Sequence, residues 1–459
     1  MGVSRRSLLF AAAAGAAALS GQSRSSARKP NFIVVYTDDQ GIGDMGCYGA
    51  RDLKTPNMDR LAASGVRFAN WYSNSPVCSP SRCALMTGQY PWRHGIRNFL
   101  PATAAFDVKG LKPGAVTLPG ELKKLGYRTA AVGKWHLGSA PEGRPMQHGF
   151  DEHFGFYSGW TDYYSHRYYN MSKTAPEHIF HDLWRNGKQV HEDPAYTTEM
   201  FSREAQAFIK RQGKQPFFLY LAYGAPHYPM IAPKKYMDRF PADMDPDRRL
   251  HAAMLAAVDD GIGEILDLLK KQGIERDTVV FFQSDNGATS EARSDSQGRP
   301  YRGGSNAPFR GYKGGLFEGG IRMPALMAWP GTIPAGKVVD QPGQTMDILP
   351  TFLKWAGGKA ASAVDGLDAS PMITSGSTSP HQDLFWEYQG QFAIRRGDWK
   401  LMLGPKEGLG DPAAAPKWLS NLKDDPQEKR NWISEAPAGV VADLETALAN
   451  WVKTVPAIP

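Results

Sequence analysis

Three acidic residues and one amide stand where apolar runs end. N-F-I-V-V-Y-T stops at Asp38 and Asp39, and T-V-V-F-F-Q-S stops at Asp285 and Asn286. Three carboxylates and an amide oxygen are hard ligands of the kind that Ca²⁺ or Mg²⁺ takes. A single D-N-G is more often a turn whose side chain caps its own backbone; two such ends on separate strands favour a shared cation. Lys134 and His136 in G-K-W-H-L-G, His227 in G-A-P-H-Y-P and Lys313 in G-Y-K-G-G-L-F-E-G-G-I-R-M-P follow other strands or occupy a glycine-rich loop. One Lys or His in a loop is ordinarily solvated. Four of them, converging with a divalent cation, would make a pocket for a tetrahedral anion whose charge is neutralised during transfer. Cys78 and Cys83, five apart in C-S-P-S-R-C, lack the second Cys/His pair expected of a zinc site.

The elements that must position these groups alternate. A helix with Thr55 as N-cap and Pro56 at its first position stops before Gly65 and leads into V-R-F-A-N-W-Y. Leu118 to Leu125 precedes Y-R-T-A-A-V-G, and Thr197 to Arg211 precedes P-F-F-L-Y-L-A-Y. A long helix through Leu250 to Gln272 precedes T-V-V-F-F-Q-S-D-N-G. Repeated βα units of this kind predict an α/β fold, a large mostly parallel sheet between helices that binds ligands beyond the carboxyl ends of its strands. Beyond Gly366 the texture changes: Q-F-A-I-R-R-G-D-W-K-L-M-L alternates like a hairpin, and Val441 to Val452 is amphipathic. Residues 30–365 are therefore expected to form the main domain, and 366–459 a small α+β subdomain packed on it.

The N-terminus, M-G-V-S-R-R-S-L-L-F-A-A-A-A-G-A-A-A-L-S, has the twin arginine and short apolar run of a bacterial export signal of the Tat type, which places the leader over residues 1–29 and the mature protein in the periplasm or outside the cell. The run is too short and alanine-rich for a good membrane span. Loss of Arg5 and Arg6 would reduce the formal charge of +7 to +5, with no basic stripe interleaved with aromatics, which argues against nucleic acid as a partner. Three cysteines in 459 residues do not make a disulfide framework, and whether Cys47 and Cys83 pair stays open. Asn170-Met171-Ser172 matches a glycosylation acceptor, which a bacterial export signal makes irrelevant.

C-S-P-S-R-C-A-L-M-T-G-Q resembles the sulfatase motif, in which Cys-x-Pro-x-Arg is followed by Thr-Gly and the cysteine becomes formylglycine (3-oxoalanine). The resemblance covers nearly the whole chain in family order, through D-D-Q-G-I-G-D-M-G-C-Y-G, G-K-W-H-L-G, H-G-F-D, S-D-N-G, G-Y-K-G-G-L-F-E-G-G-I-R-M-P, T-M-D-I-L-P-T and R-R-G-D-W-K-L. It points to the type I, arylsulfatase-like group and implies an alkaline-phosphatase-like fold. It further implies that Cys78 is oxidised by a formylglycine-generating enzyme and that its hydrated aldehyde attacks a sulfate monoester. A hydroxyl left on residue 78 then lets sulfate depart by elimination. Carried over position by position, Arg82 would hold residue 78, and Asp38, Asp39, Cys78, Asp285 and Asn286 would bind Ca²⁺. Lys134 and Lys313 would contact sulfate oxygens, His136 would assist breakdown of the intermediate, and His227 would lie on the leaving-group side. Ser158 matches a family position whose flanks differ. Cys83 falls where the family varies and is expected as a small buried residue.

The expected substrate is a sulfated carbohydrate or an aryl sulfate. G-W-T-D-Y-Y-S-H-R-Y-Y, from Gly159 to Tyr169, suits stacking on a ring, with Trp160, His166 and Arg167 as its candidate contacts; a well-packed surface loop explains it equally. Two other readings stay open. A formylglycine-dependent phosphoester or phosphonate monoester hydrolase would use the same scaffold, and a non-catalytic glycan-binding relative would have been marked by loss of Cys78 or Asp285.

Overall fold

A computed structural model describes residues 28–169, 179–291, 303–360 and 364–456. The twin arginine with its apolar run and the Asn170-Met171-Ser172 acceptor lie outside the described residues. Among the described residues a ten-stranded sheet runs, edge to edge, through Lys337–Val339, Val66–Phe68, Ala325–Ala328, Thr278–Ser284, Asn31–Thr37, Phe217–Ala222, Arg128–Lys134, Glu152–Phe156, Trp184–Arg185 and Lys188–Gln189. The five strands from Thr278–Ser284 to Glu152–Phe156 are mutually parallel, and antiparallel pairings begin on either side of them. The parallel block matches the predicted βα repeats, and its strand ends all point to one edge.

The central strand Asn31–Thr37 is buried along its whole length because both faces are covered. Ile33 and Val35 join a core with Phe201 and Phe208 of the helix Thr197–Arg211 and Leu255 of the helix Pro246–Lys271. Phe32, Val34 and Tyr36 face the opposite way, against Leu85 of the helix Cys78–Thr87 and Phe352 of the helix Ile348–Trp355. Each such apolar side chain contributes roughly 1.5–3 kcal/mol on burial. The long helix starts as its sequence dictates, with Asp245 accepting from Arg248 N at 3.0 Å and Pro246 at its first turn. Thr55 stands before the helix Pro56–Ala63 but does not cap it; its hydroxyl instead accepts from Gly46 N at 2.9 Å and donates to Asp59 Oδ1 at 3.2 Å. No helix among the described residues is long and apolar enough to cross a membrane.

The C-terminal part forms a four-stranded antiparallel sheet of Asp383–Tyr388, Gln391–Arg396, Trp399–Leu403 and Lys417–Asn421. One face packs Leu384, Trp386 and Met402 against Tyr72, Val77, Phe317 and Ile321 of the main body. The other packs Ile394, Leu401 and Leu419 under Leu444 and Leu448 of the helix Val440–Val452. The short helix Ser370–Ser375 places Met372 and Ile373 in the core of the main sheet. Between the two bodies Lys400 Nζ bridges Glu318 at 2.9 Å and Glu428 at 3.1 Å, with all three side chains fully buried.

His381 ties the entry to this sheet to the main body: its Nε2 lies 2.8 and 2.9 Å from the two carboxylate oxygens of Asp347. Burial alone would lower the imidazole pKa, but the Asp347 carboxylate outweighs it and raises the value above 6.5. A raised folded-state pKa gives stability that is fully present below the unfolded value and lost as pH rises through the folded one. His381→Gln is therefore expected to flatten the decline in denaturant midpoint from about pH 6 to alkaline pH. An unchanged decline in the variant would remove the pair as its cause.

Candidate active site

The strand ends gather the predicted groups into one buried cluster. Asp38 and Asp39 follow the central strand, Asp39 with φ +61°, a conformation that Asp tolerates better than most residues. Asp285 and Asn286 follow the neighbouring strand, and Asp39 N donates to Asp285 Oδ1 at 3.2 Å. Cys78 is the first residue of the helix Cys78–Thr87, whose ten residues are all buried. Residue 78 thus sits at the positive end of that helix dipole. Four residues on, Arg82 donates to Asp285 Oδ2 from Nη2 at 2.7 Å and from Nε at 3.2 Å, lies 3.5 Å from Asp38, and reaches Tyr220 Oη at 3.1 Å.

The lysines arrive from two sides. Lys134 ends its strand directly after Gly133, where φ is +106° and a Cβ would stand 1.8 Å from Ala222 O, so glycine is required there. Lys134 Nζ contacts Asp38 Oδ2. Lys313 Nζ donates to Asp39 Oδ2 at 2.9 Å and lies 3.3 Å from Glu291. Its loop is gripped by the C-terminal part: Gln391 Nε2 donates to Gly314 O at 2.8 Å, and Tyr312 N donates to Glu407 O at 2.7 Å. Gly314 has φ +88°, and a Cβ there would lie 2.8 Å from the Leu409 backbone.

Burial dominates the electrostatics. It pushes Asp38 up to about 8 with help from Asp285, against the pull of Lys134 and Arg82, and raises Asp39 against the pull of Lys313. The Cys78 thiol is pushed up by burial in spite of Lys134 and Lys313, so an unmodified cysteine stays a protonated, poor nucleophile. Burial, then Lys134, hold His136 well below its ordinary value, which keeps the imidazole neutral. Its Nε2 donates to Leu100 O at 3.0 Å, leaving Nδ1 buried without a hydrogen-bond partner. His227 donates from Nδ1 to Tyr228 O at 2.8 Å, and its Nε2 lies 3.8 Å from Asp39 Oδ2.

A cation fits this donor set. Asp38 Oδ1 and Asn286 Oδ1 are buried acceptors without a hydrogen bond, and Asp38, Asp39 and His227 each offer an atom within 4.8 Å of the others. Counted as fully ionised, Arg82, Lys134 and Lys313 face Asp38, Asp39, Asp285 and Glu291 with one negative charge in excess, an excess that the metal-free site relieves by keeping the proton of Asp38. A divalent cation would reverse that sign and leave the site attractive to an anion.

A cavity of about 80 Å³ opens over the cluster, lined by Cys78, His136, Trp160, His227 and Lys313. Trp160 packs its ring 4.8 Å from Tyr168 and 5.5 Å from Tyr228. Two residues expected to face substrate do not reach it. Ser158 is buried, with its backbone N donating to Asp182 Oδ2 at 2.8 Å and its side chain held by the same carboxylate. His166 is fully buried, its Nε2 donating to Ala195 O at 2.8 Å and its Nδ1 lying 2.7 Å from Asp193 Oδ1. Arg167 is exposed in the strand Arg167–Tyr169, opposite His181. Cys47, Cys78 and Cys83 are unpaired, and Cys83 is fully buried. Sequence reasoning missed Glu291 and Leu100. The first belongs to no motif, and the second acts through a carbonyl that side-chain patterns do not reveal.

Comparison with known proteins gives the same identity. The Sulfatase family model matches residues 30–358, and the model described as N-sulphoglucosamine sulphohydrolase, C-terminal, matches 312–454. The chain is 37% identical over 411 residues to N-acetylgalactosamine-6-sulfatase of Canis lupus familiaris, covering 86% of this chain and 74% of that protein. It is 32% identical to arylsulfatase A of Homo sapiens, covering 96% and 89%. Among solved structures, Ps i-CgsB in complex with k-i-k-neocarrahexaose superposes with a TM-score of 0.83 at 35% identity over 94% of each chain. That similarity extends the alkaline-phosphatase-like expectation to the whole described fold, including the small C-terminal sheet. By family match, relatedness and fold, the chain belongs to the sulfatase family.

Proposed function

We propose that the protein hydrolyses a sulfate monoester on a carbohydrate, with residue 78 as nucleophile. The observation that carries this is Cys78, buried at a helix N-terminus beneath a cavity it shares with His136, His227 and Lys313, with the paired carboxylates beside it. N-acetylgalactosamine-6-sulfatase acts on a sugar by name and the solved Ps i-CgsB structure holds an oligosaccharide, which supports a sulfated sugar; the name of arylsulfatase A keeps an aryl sulfate in the test panel.

Asp38, Asp39, Asp285 and Asn286, with residue 78, would hold Ca²⁺, which supplies Lewis-acid charge at the sulfate oxygens. Formylglycine at position 78 would supply, once hydrated, one hydroxyl as nucleophile toward sulfur and a second whose deprotonation would let sulfate leave without attack by water. Lys134 and Lys313, which contact Asp38 and Asp39, would hold the sulfate oxygens where negative charge develops. Arg82 would fix the helix turn beneath residue 78 through Asp285. His136, neutral and with Nε2 committed to Leu100 O, would take a proton at Nδ1. His227 would stand on the leaving-group side, and Trp160 would stack on the sugar.

The residues 1–29 support export of the mature enzyme to the periplasm or beyond. Tat cargo crosses folded, whereas oxidation of Cys78 by a formylglycine-generating enzyme needs an extended segment, so modification precedes export. Finding only the thiol in the cytoplasmic pool and the aldehyde in the periplasm would overturn that order.

The substrate reading is tested on a panel of N-acetylgalactosamine 6-sulfate, sulfated galactan oligosaccharides, an aryl sulfate, an aryl phosphate and a phosphonate monoester. A sulfated sugar is expected to exceed both phosphorus esters in kcat/KM by on the order of 10³-fold, about 4 kcal/mol of transition-state discrimination. Equal or better turnover of a phosphorus ester would replace the sulfatase reading with the hydrolase of that anion.

A further inference from the structure

His166, expected at the substrate, belongs to a different constellation. It precedes the strand Arg167–Tyr169, which pairs antiparallel with Ile179–His181, so His166 and His181 stand at the base of one short hairpin. Asp182 N donates to His166 O at 2.9 Å and closes that base. The segment carrying His191 and Asp193 lies against it. His166 Nδ1 is 2.7 Å and His181 Nε2 is 3.5 Å from Asp193 Oδ1, and the ligand atoms of the three residues lie within 4.8 Å of one another. The exposed His191 ring lies 4.1 Å from His181 and supplies a further imidazole beside the cluster.

We propose that His166, His181 and Asp193 form a second metal site, separate from the acidic cluster, that takes a zinc-class transition-metal ion. Two imidazoles and one carboxylate suit Zn²⁺ rather than Ca²⁺, which prefers an all-oxygen shell. In tetrahedral coordination, ligand atoms about 2.0–2.1 Å from zinc lie about 3.3 Å from one another, within the range this trio spans. The surroundings also fit. His166 Nε2 donates to Ala195 O, the backbone contact that fixes the tautomer of a metal-binding imidazole and turns Nδ1 toward the ion. His166 Nδ1 and both ring nitrogens of His181 are buried without a well-aligned hydrogen bond. Asp193 is 39% exposed, which leaves an entry path on its side.

The ion would staple the hairpin to the segment 191–195. The hairpin bears Tyr168, which lines the cavity and packs on Trp160 and on Phe180. Zinc binding thereby sets the rigidity of the wall that carries the aromatic platform.

The test titrates the full-length, folded enzyme with Zn²⁺ in millimolar Ca²⁺ against a chromophoric chelator, and repeats it with Co²⁺ while recording visible absorption. One equivalent bound at micromolar or better affinity is expected, with the intense Co²⁺ bands of a four-coordinate site. Asp193→Asn and His181→Gln are expected to weaken it at least about 100-fold. In hydrogen exchange, zinc is expected to slow the amides of 167–169 and 179–181. Should His181→Gln misfold, the exposed Asp193→Asn decides. Absence of Zn²⁺ binding in the wild type, or binding unchanged in Asp193→Asn, overturns the site.

Discussion

Cys78→Ala is expected to lower kcat/KM on a sulfated sugar by on the order of 10⁵-fold while leaving the fold intact. The change is small in volume and falls at the first position of a helix, where alanine is tolerated, so the packing of Leu85 and Met86 below it should persist. What is lost is the one side chain of the cluster that can become a nucleophile. Lys134 and Lys313 would still attract the anion, and substrate should still inhibit or bind near its wild-type KM. The raised thiol pKa adds a second arm. Wild-type protein made without a formylglycine-generating enzyme should be nearly as inactive as the variant, because a protonated thiol cannot replace the modified residue. Mass spectrometry of the tryptic peptide Phe68 to Arg82 separates the pools: activity should track the aldehyde fraction. Activity within about tenfold of wild type in Cys78→Ala would remove residue 78 from the chemistry.

The parts of the site visible in the sequence are those whose position follows from a strand end. Asp38, Asp39, Asp285 and Asn286 terminate runs buried on both faces, and a parallel strand delivers its C-terminal residues to one edge whatever the loops do. Lys134 is legible for the same reason, since its glycine neighbour allows close approach to Ala222. Ser158 and His166 failed because their neighbours come from elsewhere. Asp182 turns Ser158 inward, and Asp193 with Ala195 claims His166, contacts set by a hairpin that no local pattern announces. Trp160 sits in the same stretch yet lines the cavity, so an aromatic run locates a surface without sorting its side chains. The C-terminal sheet was visible as alternation around Gln391–Arg396, but its hold on the Lys313 loop through Gln391 and Glu407 was not.

Arg82→Met is expected to destabilise the metal-free protein by about 3–5 kcal/mol, the range for removing one partner of a buried ion pair. Methionine nearly conserves the apolar volume, so the loss isolates charge from cavity formation. Arg82 is fully buried, chelates the Asp285 carboxylate through two nitrogens, lies 3.5 Å from Asp38 and stands 5.4 Å over the Tyr36 ring. Without it Asp38 keeps its Lys134 contact, and Asp285 loses its cationic partner and keeps the backbone N–H of Asp39 at 3.2 Å. If Asp38 and Asp285 also hold the divalent cation, Ca²⁺ should return part of the lost stability, about 2.7 kcal/mol when it is present at 100 times its Kd. Guanidinium unfolding with and without Ca²⁺ reads both terms. Pairing Arg82→Met with Asp285→Asn should recover stability in the metal-free protein, because the unpaired charge is removed, yet should forfeit the Ca²⁺ response. A metal-free Arg82→Met protein as stable as wild type would mean that the carboxylates are neutralised by something other than the guanidinium. A Ca²⁺ response surviving in the double variant would move the cation away from Asp285.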